Sequence, residues 1–185
     1  LPSDATTCFA FLSDFAGGSF SNNQITFNTA GSIQLTNLAA NSATFGATGG
    51  SFAINNNTIS LTSSLVSGVL NGLICATPFE GSYTVNNNTF TTLNLTAAGT
   101  SAPGITCISI GGGVSNTISG NKIQGSSTGA GTGSATLTGI SLAAGTTNNV
   151  FKNKIYNLAT SATGTGPSGT AAAPASTAST CSSSC

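Results

Sequence analysis

One short pattern, apolar-x-x-Asn-x-apolar, occurs five times in the 185 residues and limits the possible folds more than any other feature. The copies are Phe20 to Ile25, Ile54 to Ile59, Val85 to Phe90, Ile118 to Ile123 and Val150 to Ile155. Their asparagines, Asn23, Asn57, Asn88, Asn121 and Asn153, follow at spacings of 34, 31, 33 and 32 residues. A unit this short cannot bury an apolar face alone. Repetition at such a period therefore means stacked units sharing one core.

A second element follows the pattern: Ser32-Ile33-Gln34-Leu35, Gly72-Leu73-Ile74-Cys75, Gly104-Ile105-Thr106-Cys107 and Gly139-Ile140-Ser141-Leu142. Apolar and other residues mostly alternate in it, the periodicity of a strand, and a small residue leads each stretch. These segments align Cys75 and Cys107, one period apart, with Leu35 and Leu142. Helical repeats of similar length are excluded because these units are dense in Gly, Thr, Ser and Asn, which are poor helix formers. Propeller blades usually carry more aromatic and charged residues. The spacing instead predicts an all-β chain, a right-handed parallel β-helix (β-solenoid) of about five coils over residues 17–160. Residues 1–16 do not match the repeat and read as an apolar N-terminal capping or docking segment. Residues 161–185 form a Ser/Thr/Ala/Gly-rich tail that carries Cys181 and Cys185.

In such a stack each coil lies one strand spacing, about 4.8 Å, from the next. The columns Phe20/Ile54/Val85/Ile118/Val150 and Ile25/Ile59/Phe90/Ile123/Ile155 then line the core. Between them lies the asparagine column, at a bend. Its role is read as structural: stacked amides hydrogen-bond along the axis as a ladder, and Asn tolerates the left-handed backbone of tight turns.

Composition narrows the function. The chain has three lysines, three carboxylates, and no arginine, histidine, methionine or tryptophan. Charged residues are normally about a quarter of a globular chain. Losing them removes the repulsion that keeps proteins apart. Three lysines make no phosphate track, so nucleic acid is not an expected partner. No apolar run has the roughly 18 residues of a transmembrane segment. Opening on Leu1 instead of Met, the chain reads as a processed product.

The five cysteines, Cys8, Cys75, Cys107, Cys181 and Cys185, are disulfide candidates. Cys75 and Cys107 are either paired or buried as thiols in the core. Cys8, Cys181 and Cys185 lie outside the repeat, where they suit cross-links between successive subunits in an oxidising compartment.

Polysaccharide cleavage, a common β-helix chemistry, needs paired carboxylates or an acidic calcium cluster with a base. Only Asp4, Asp14 and Glu80 are available, and they are scattered, so the chain is not expected to be an enzyme. No cofactor is expected, and Cys181-x-x-x-Cys185 without histidine or a second pair is no zinc site. Gly111-Gly112-Gly113 is a turn signal and not a phosphate loop, because no Lys-Ser/Thr follows. Asn56, Asn87 and Asn94 open Asn-x-Thr triplets, the acceptor pattern for N-glycosylation, although turn chemistry explains them more simply.

The segments Asn116-Thr-Ile-Ser-Gly-Asn-Lys-Ile123 and Gly139 to Leu158 resemble the secreted bacterial parallel β-helix repeat proteins, whose long chains are adhesin-like and stand on cell surfaces. The resemblance covers residues 104–160 best and 17–103 more loosely. It implies the fold and an extracellular or cell-surface location, but not an activity. The leading expectation is a structural subunit that polymerises head to tail with copies of itself. A glycan-binding adhesin module is the alternative. Ice binding is disfavoured, because the column Thr26, Ser60, Thr91, Gln124 and Tyr156 is not a regular threonine array.

Overall fold

The computed structural model describes residues 7–13, 18–29, 33–39, 50–64, 69–75, 81–95, 104–128 and 136–160. Among them no residue is helical, and every strand pairing is parallel. The fold is a parallel β-helix with three sheets. Sheet A stacks β1 (Thr7–Ser13), β4 (Ile33–Ala39), β7 (Val69–Cys75), β10 (Gly104–Ile110) and β14 (Thr136–Leu142). Sheet B stacks β2 (Gly18–Ser21), β5 (Ser51–Asn55), β8 (Ser82–Asn86), β11 (Ser115–Ser119) and β15 (Thr147–Phe151). Sheet C begins with β3 (Gln24–Thr29), β6 (Thr58–Ser63) and β9 (Thr89–Leu95). In its last two coils a break divides each strand, giving β12 (Lys122–Gln124) with β13 (Ser126–Thr128), and β16 (Lys154–Tyr156) with β17 (Ala159–Thr160).

One strand from each sheet makes one coil, and five coils are present. The first contains β1, which pairs in parallel with β4 from Thr7 opposite Ile33 to Ser13 opposite Ala39. Thr7–Ser13 therefore already belongs to a coil, inside the segment 1–16 that the repeat alone sets apart. No asparagine pattern marks sheet A, so its first strand carries no flag in the sequence. The tail from residue 161, with Cys181 and Cys185, lies outside the described residues.

Both expected core columns form in register. Phe20, Ile54, Val85, Ile118 and Val150 stack through sheet B, and Ile25, Ile59, Phe90, Ile123 and Ile155 through sheet C. Ile54, Ile59, Val85, Phe90, Ile118 and Ile123 are fully buried. Burying a side chain of this size contributes about 1.5–3 kcal/mol, and the stack repeats that gain in every coil.

Sheet A differs from the expected alignment. Leu70 stacks on Ile105 and Leu137, and Leu73 on Ile108 and Ile140. Cys75 therefore lies opposite Ile110 and, one coil further, Leu142, three residues from the position of Cys107. Leu38, and not Leu35, joins that column from β4. Each strand carries apolar residues three apart, so two alignments satisfy the same tetrapeptide. The pairing Gly104 with Val69 selects between them. Cys107 and Ile108 are both buried, which shows that the strand bends instead of alternating cleanly. Gly72 sits opposite this bend. A methyl group there would run into the Cys107 carbonyl and come within 2.8 Å of the Phe90 ring.

Sheet C holds a further correction. Ser60 pairs with Thr92, and Thr91 is the extra residue of a bulge, its hydroxyl donating to the Ile59 carbonyl at 3.3 Å. The outward column expected to run from Ser60 to Thr91 thus runs from Ser60 to Thr92, while towards the next coil the register keeps Thr91 in the row of Gln124. A bulge adds a residue without changing residue type, so composition does not reveal it.

Candidate functional site

The corner between sheets B and C is built identically in all five coils. Two successive residues make it. The first takes the left-handed backbone: Asn22 (φ 62), Asn56 (φ 58), Asn87 (φ 55), Gly120 (φ 65) and Lys152 (φ 56). The second is the ladder asparagine. The left-handed turn therefore falls one residue before the ladder, and not on the ladder itself. Asn and Gly suit such a position, whereas Lys152 occupies it at a cost of about 1–2 kcal/mol.

The three inner ladder amides, Asn57, Asn88 and Asn121, are bonded to the coils on both sides. The Oδ1 of Asn57 accepts the backbone N–H of Asn23 at 3.0 Å and its Nδ2 at 2.9 Å. Asn88 does the same for Asn57 at 3.1 and 2.9 Å, and Asn121 for Asn88 at 3.0 and 2.9 Å. Asn153 completes the series with Asn121 at 2.9 Å for both. The other Nδ2 hydrogen reaches back to the preceding coil. Asn57 donates to Phe20 O, Asn88 to Ile54 O, Asn121 to Val85 O and Asn153 to Ile118 O, at 2.7–2.8 Å. Asn57, Asn88 and Asn121 are buried, and among the described residues no buried side-chain polar atom lacks a partner. Amides can line an apolar core only under that condition, because an unsatisfied buried donor or acceptor costs about 1–3 kcal/mol.

A second, shorter ladder runs inside sheet B. Gly18, Phe52, Tyr83, Asn116 and Asn148 form one inward column. Asn116 Nδ2 donates to Asn148 Oδ1 at 2.8 Å and to Gly112 O at 3.0 Å, while its Oδ1 accepts the Tyr83 N–H at 3.1 Å. The sequence does carry a signal for this pair. Gly113-x-x-Asn116 and Gly145-x-x-Asn148 share one spacing, and both glycines have positive φ.

The cysteines separate by position. Cys75 and Cys107 are buried thiols, too far out of register to join each other. Burial pushes the Cys75 thiol far above its ordinary pKa, and burial also raises Tyr83, with Cys75 adding to the shift. Cys8 lies in β1, opposite Gln34. Of the triplet asparagines, Asn56 and Asn87 are exposed at the left-handed corner, and Asn94 is half-buried. Asn56 Nδ2 donates to Asn22 Oδ1 at 3.2 Å. Asp4, Asp14 and Glu80 lie outside the described residues.

The coil ends differ from the middle. Ile155 is 37% exposed, while Ile59, Phe90 and Ile123 in the same column are sealed. Phe151 and Tyr156, on the outward faces of the same last coil, are exposed too. Tyr156 hydrogen-bonds Gln124, and the Lys122 ammonium lies 5.9 Å from its ring centre, within the range of a cation–π contact. Lys122 and Lys154 continue the outward column of Gln24, Thr58 and Thr89. No protein-family model, no curated protein and no solved structure matches the chain. Function is therefore read from the chain's own geometry.

Proposed function

We propose that the chain is an extracellular structural protein, a subunit that assembles end to end into a surface fibre or filament. The observation that carries this reading is the state of the two end coils. Strands β1, β2 and β3 at one end, and β14, β15 and β16 at the other, are each paired on one side among the described residues. Open parallel edges in a chain with so few charged residues are templates for another coil. Long-chain adhesin-like β-helix proteins, which residues 104–160 resemble, continue such a stack within one polypeptide. Here a neighbouring copy would supply the next coil. Cysteines at Cys8, Cys181 and Cys185 suit covalent locking of neighbours outside the cell.

Electron microscopy of the native, unreduced protein tests this. Ordered filaments are expected, with an axial repeat near five strand spacings, roughly 24 Å. Dispersed single particles at high concentration would refute it.

A glycan-binding adhesin module is the second reading, favoured by the exposed Phe151 and Tyr156 of the last coil, with the Lys122 ammonium 5.9 Å from the Tyr156 ring centre. Binding on a glycan array that disappears in Tyr156→Ala would support it. Silence of the native protein would dismiss it. Ice binding gains nothing from the outward column Thr26, Ser60, Thr92, since the following coils place Gln124 opposite Tyr156.

A further inference from the structure

We infer that the asparagine ladder gives the stack a chemical polarity that fixes how two copies meet: the last coil of one copy seats on the first coil of the next, with Asn153 donating to Asn23. This rests on the assembly reading above and adds its direction and register.

The direction follows from the ladder bonds. In all four steps the earlier coil supplies the donors, a backbone N–H and an Nδ2 hydrogen, and the later coil supplies the Oδ1 acceptor. The series therefore ends unevenly. Among the described residues, the Asn153 backbone N–H and one of its Nδ2 hydrogens have no acceptor, and the Asn23 Oδ1 has no donor. One end of the stack presents donors and the other an acceptor. Seating the first coil of a second copy on the last coil of the first supplies what each lacks. The Asn23 Nδ2, which turns to Ser21 O within its own coil at 3.2 Å, would then meet the Val150 carbonyl, as Asn57 meets Phe20 O at 2.8 Å.

The backbone repeats the same logic. Asn22 N–H donates to Asn55 O in the next coil at 3.0 Å, and Thr58 N–H donates back to Asn23 O at 2.8 Å. Across the junction the equivalent bonds are Lys152 N–H to Ser21 O and Gln24 N–H to Asn153 O. In that register Val150 covers Phe20, and the exposed Ile155 covers Ile25, so both core columns continue without a break. Joining like ends instead would set acceptor against acceptor at Asn23, or donor against donor at Asn153. The partner that fits is a second copy of this chain, in one orientation.

Ser19 and Asn149 provide the test. Both are exposed and occupy one outward column of sheet B, through Ala53, Thr84 and Thr117. At a seated junction they lie one strand spacing apart, within disulfide reach. Full-length Ser19→Cys and isotope-labelled Asn149→Cys are mixed, oxidised mildly and mapped by peptide mass spectrometry. The expected result is the mixed Ser19–Asn149 linkage between a labelled and an unlabelled copy, with neither homotypic linkage. Adding Asn23→Ala to the Ser19→Cys copy removes the acceptor and should strongly reduce the mixed linkage. Filaments that yield homotypic linkages, or a mixed linkage unaffected by Asn23→Ala, overturn the inference and leave the assembly reading standing. Absence of both filaments and cross-links overturns both.

Discussion

Replacing Asn88 with alanine removes the central rung of the ladder, and its cost can be worked from the bonds around it. The Asn88 Oδ1 is the acceptor for Asn57 N–H at 3.1 Å and Asn57 Nδ2 at 2.9 Å. Asn57 is 1% exposed and Asn88 is sealed, so water does not reach either donor. Two donors are left buried without partners, at about 1–3 kcal/mol each, giving a loss of about 2–6 kcal/mol. Asn121 loses less, because its Oδ1 keeps the Asn88 backbone N–H. The same substitution at Asn23 strands no donor. Asn57 Oδ1 still accepts the backbone N–H of residue 23 at 3.0 Å, and that corner is half-exposed. Its cost should stay below about 1 kcal/mol. Urea unfolding of the monomer, followed by far-ultraviolet circular dichroism, reads both. Asn88→Ala should lower the transition midpoint clearly at unchanged slope, and Asn23→Ala should barely move it. Equal losses at the two sites would refute the idea that the ladder stabilises through buried, fully bonded amides. A typical domain has only about 5–15 kcal/mol in total, so the central rung is a large share of the stability.

Gly72→Ala should destabilise by about 1–3 kcal/mol, since the new methyl group meets the Cys107 carbonyl and the Phe90 ring. Gly139→Ala faces only the side chain of Ile155 at 3.0 Å, which can turn away, and should cost clearly less in the same urea titration. Cys75 and Cys107 should resist alkylation at pH 8 until the protein unfolds, because both are buried and the Cys75 thiol is held neutral; rapid labelling of the native state would contradict that packing. Cys75 and Tyr83 have raised folded pKa values, so the stability they contribute is complete below their unfolded values and declines above them. Stability should therefore fall as pH rises past 9.0 and again past 10.0, and a flat unfolding midpoint across that range would count against both shifts.

The bend between sheets B and C was legible in the sequence because three constraints meet there in six residues. Two core positions flank an amide that must bond in both directions, and few residue types satisfy that, so the pattern survives in every coil. Sheet A has no such marker. Its strands need only apolar side chains facing inward, and Leu70, Leu73 and Cys75 meet that need in more than one register. Neighbouring backbones settle the choice, which is why the sequence alignment placed Cys107 three residues away from its true row. Thr7–Ser13 escaped for the same reason. The Asn116–Asn148 pair escaped because its column changes character along the stack, from Phe52 and Tyr83 to amides, so it leaves no column of one residue type to read.

The ladder also makes each coil interchangeable with its neighbours. Each inner coil receives two donors from below and offers two above. Excising residues 57–87 would join Asn56 to Asn88 and remove the 31 residues of one turn. At the corner each column would lose one member, and Asn23 would meet Asn88 as it now meets Asn57; in sheet A the row of Gly72 would pass to Leu35, opposite Cys107, so that strand would have to adjust. The height of the particle is thus a count of copies, advancing by about 4.8 Å per turn. Duplication or loss of one segment can lengthen or shorten the chain while the ladder bonds at the corner are kept. In this sense the molecule is a ruler with five divisions, whose outward columns, such as Gln24, Thr58, Thr89, Lys122 and Lys154, are free to change while the spacing stays fixed.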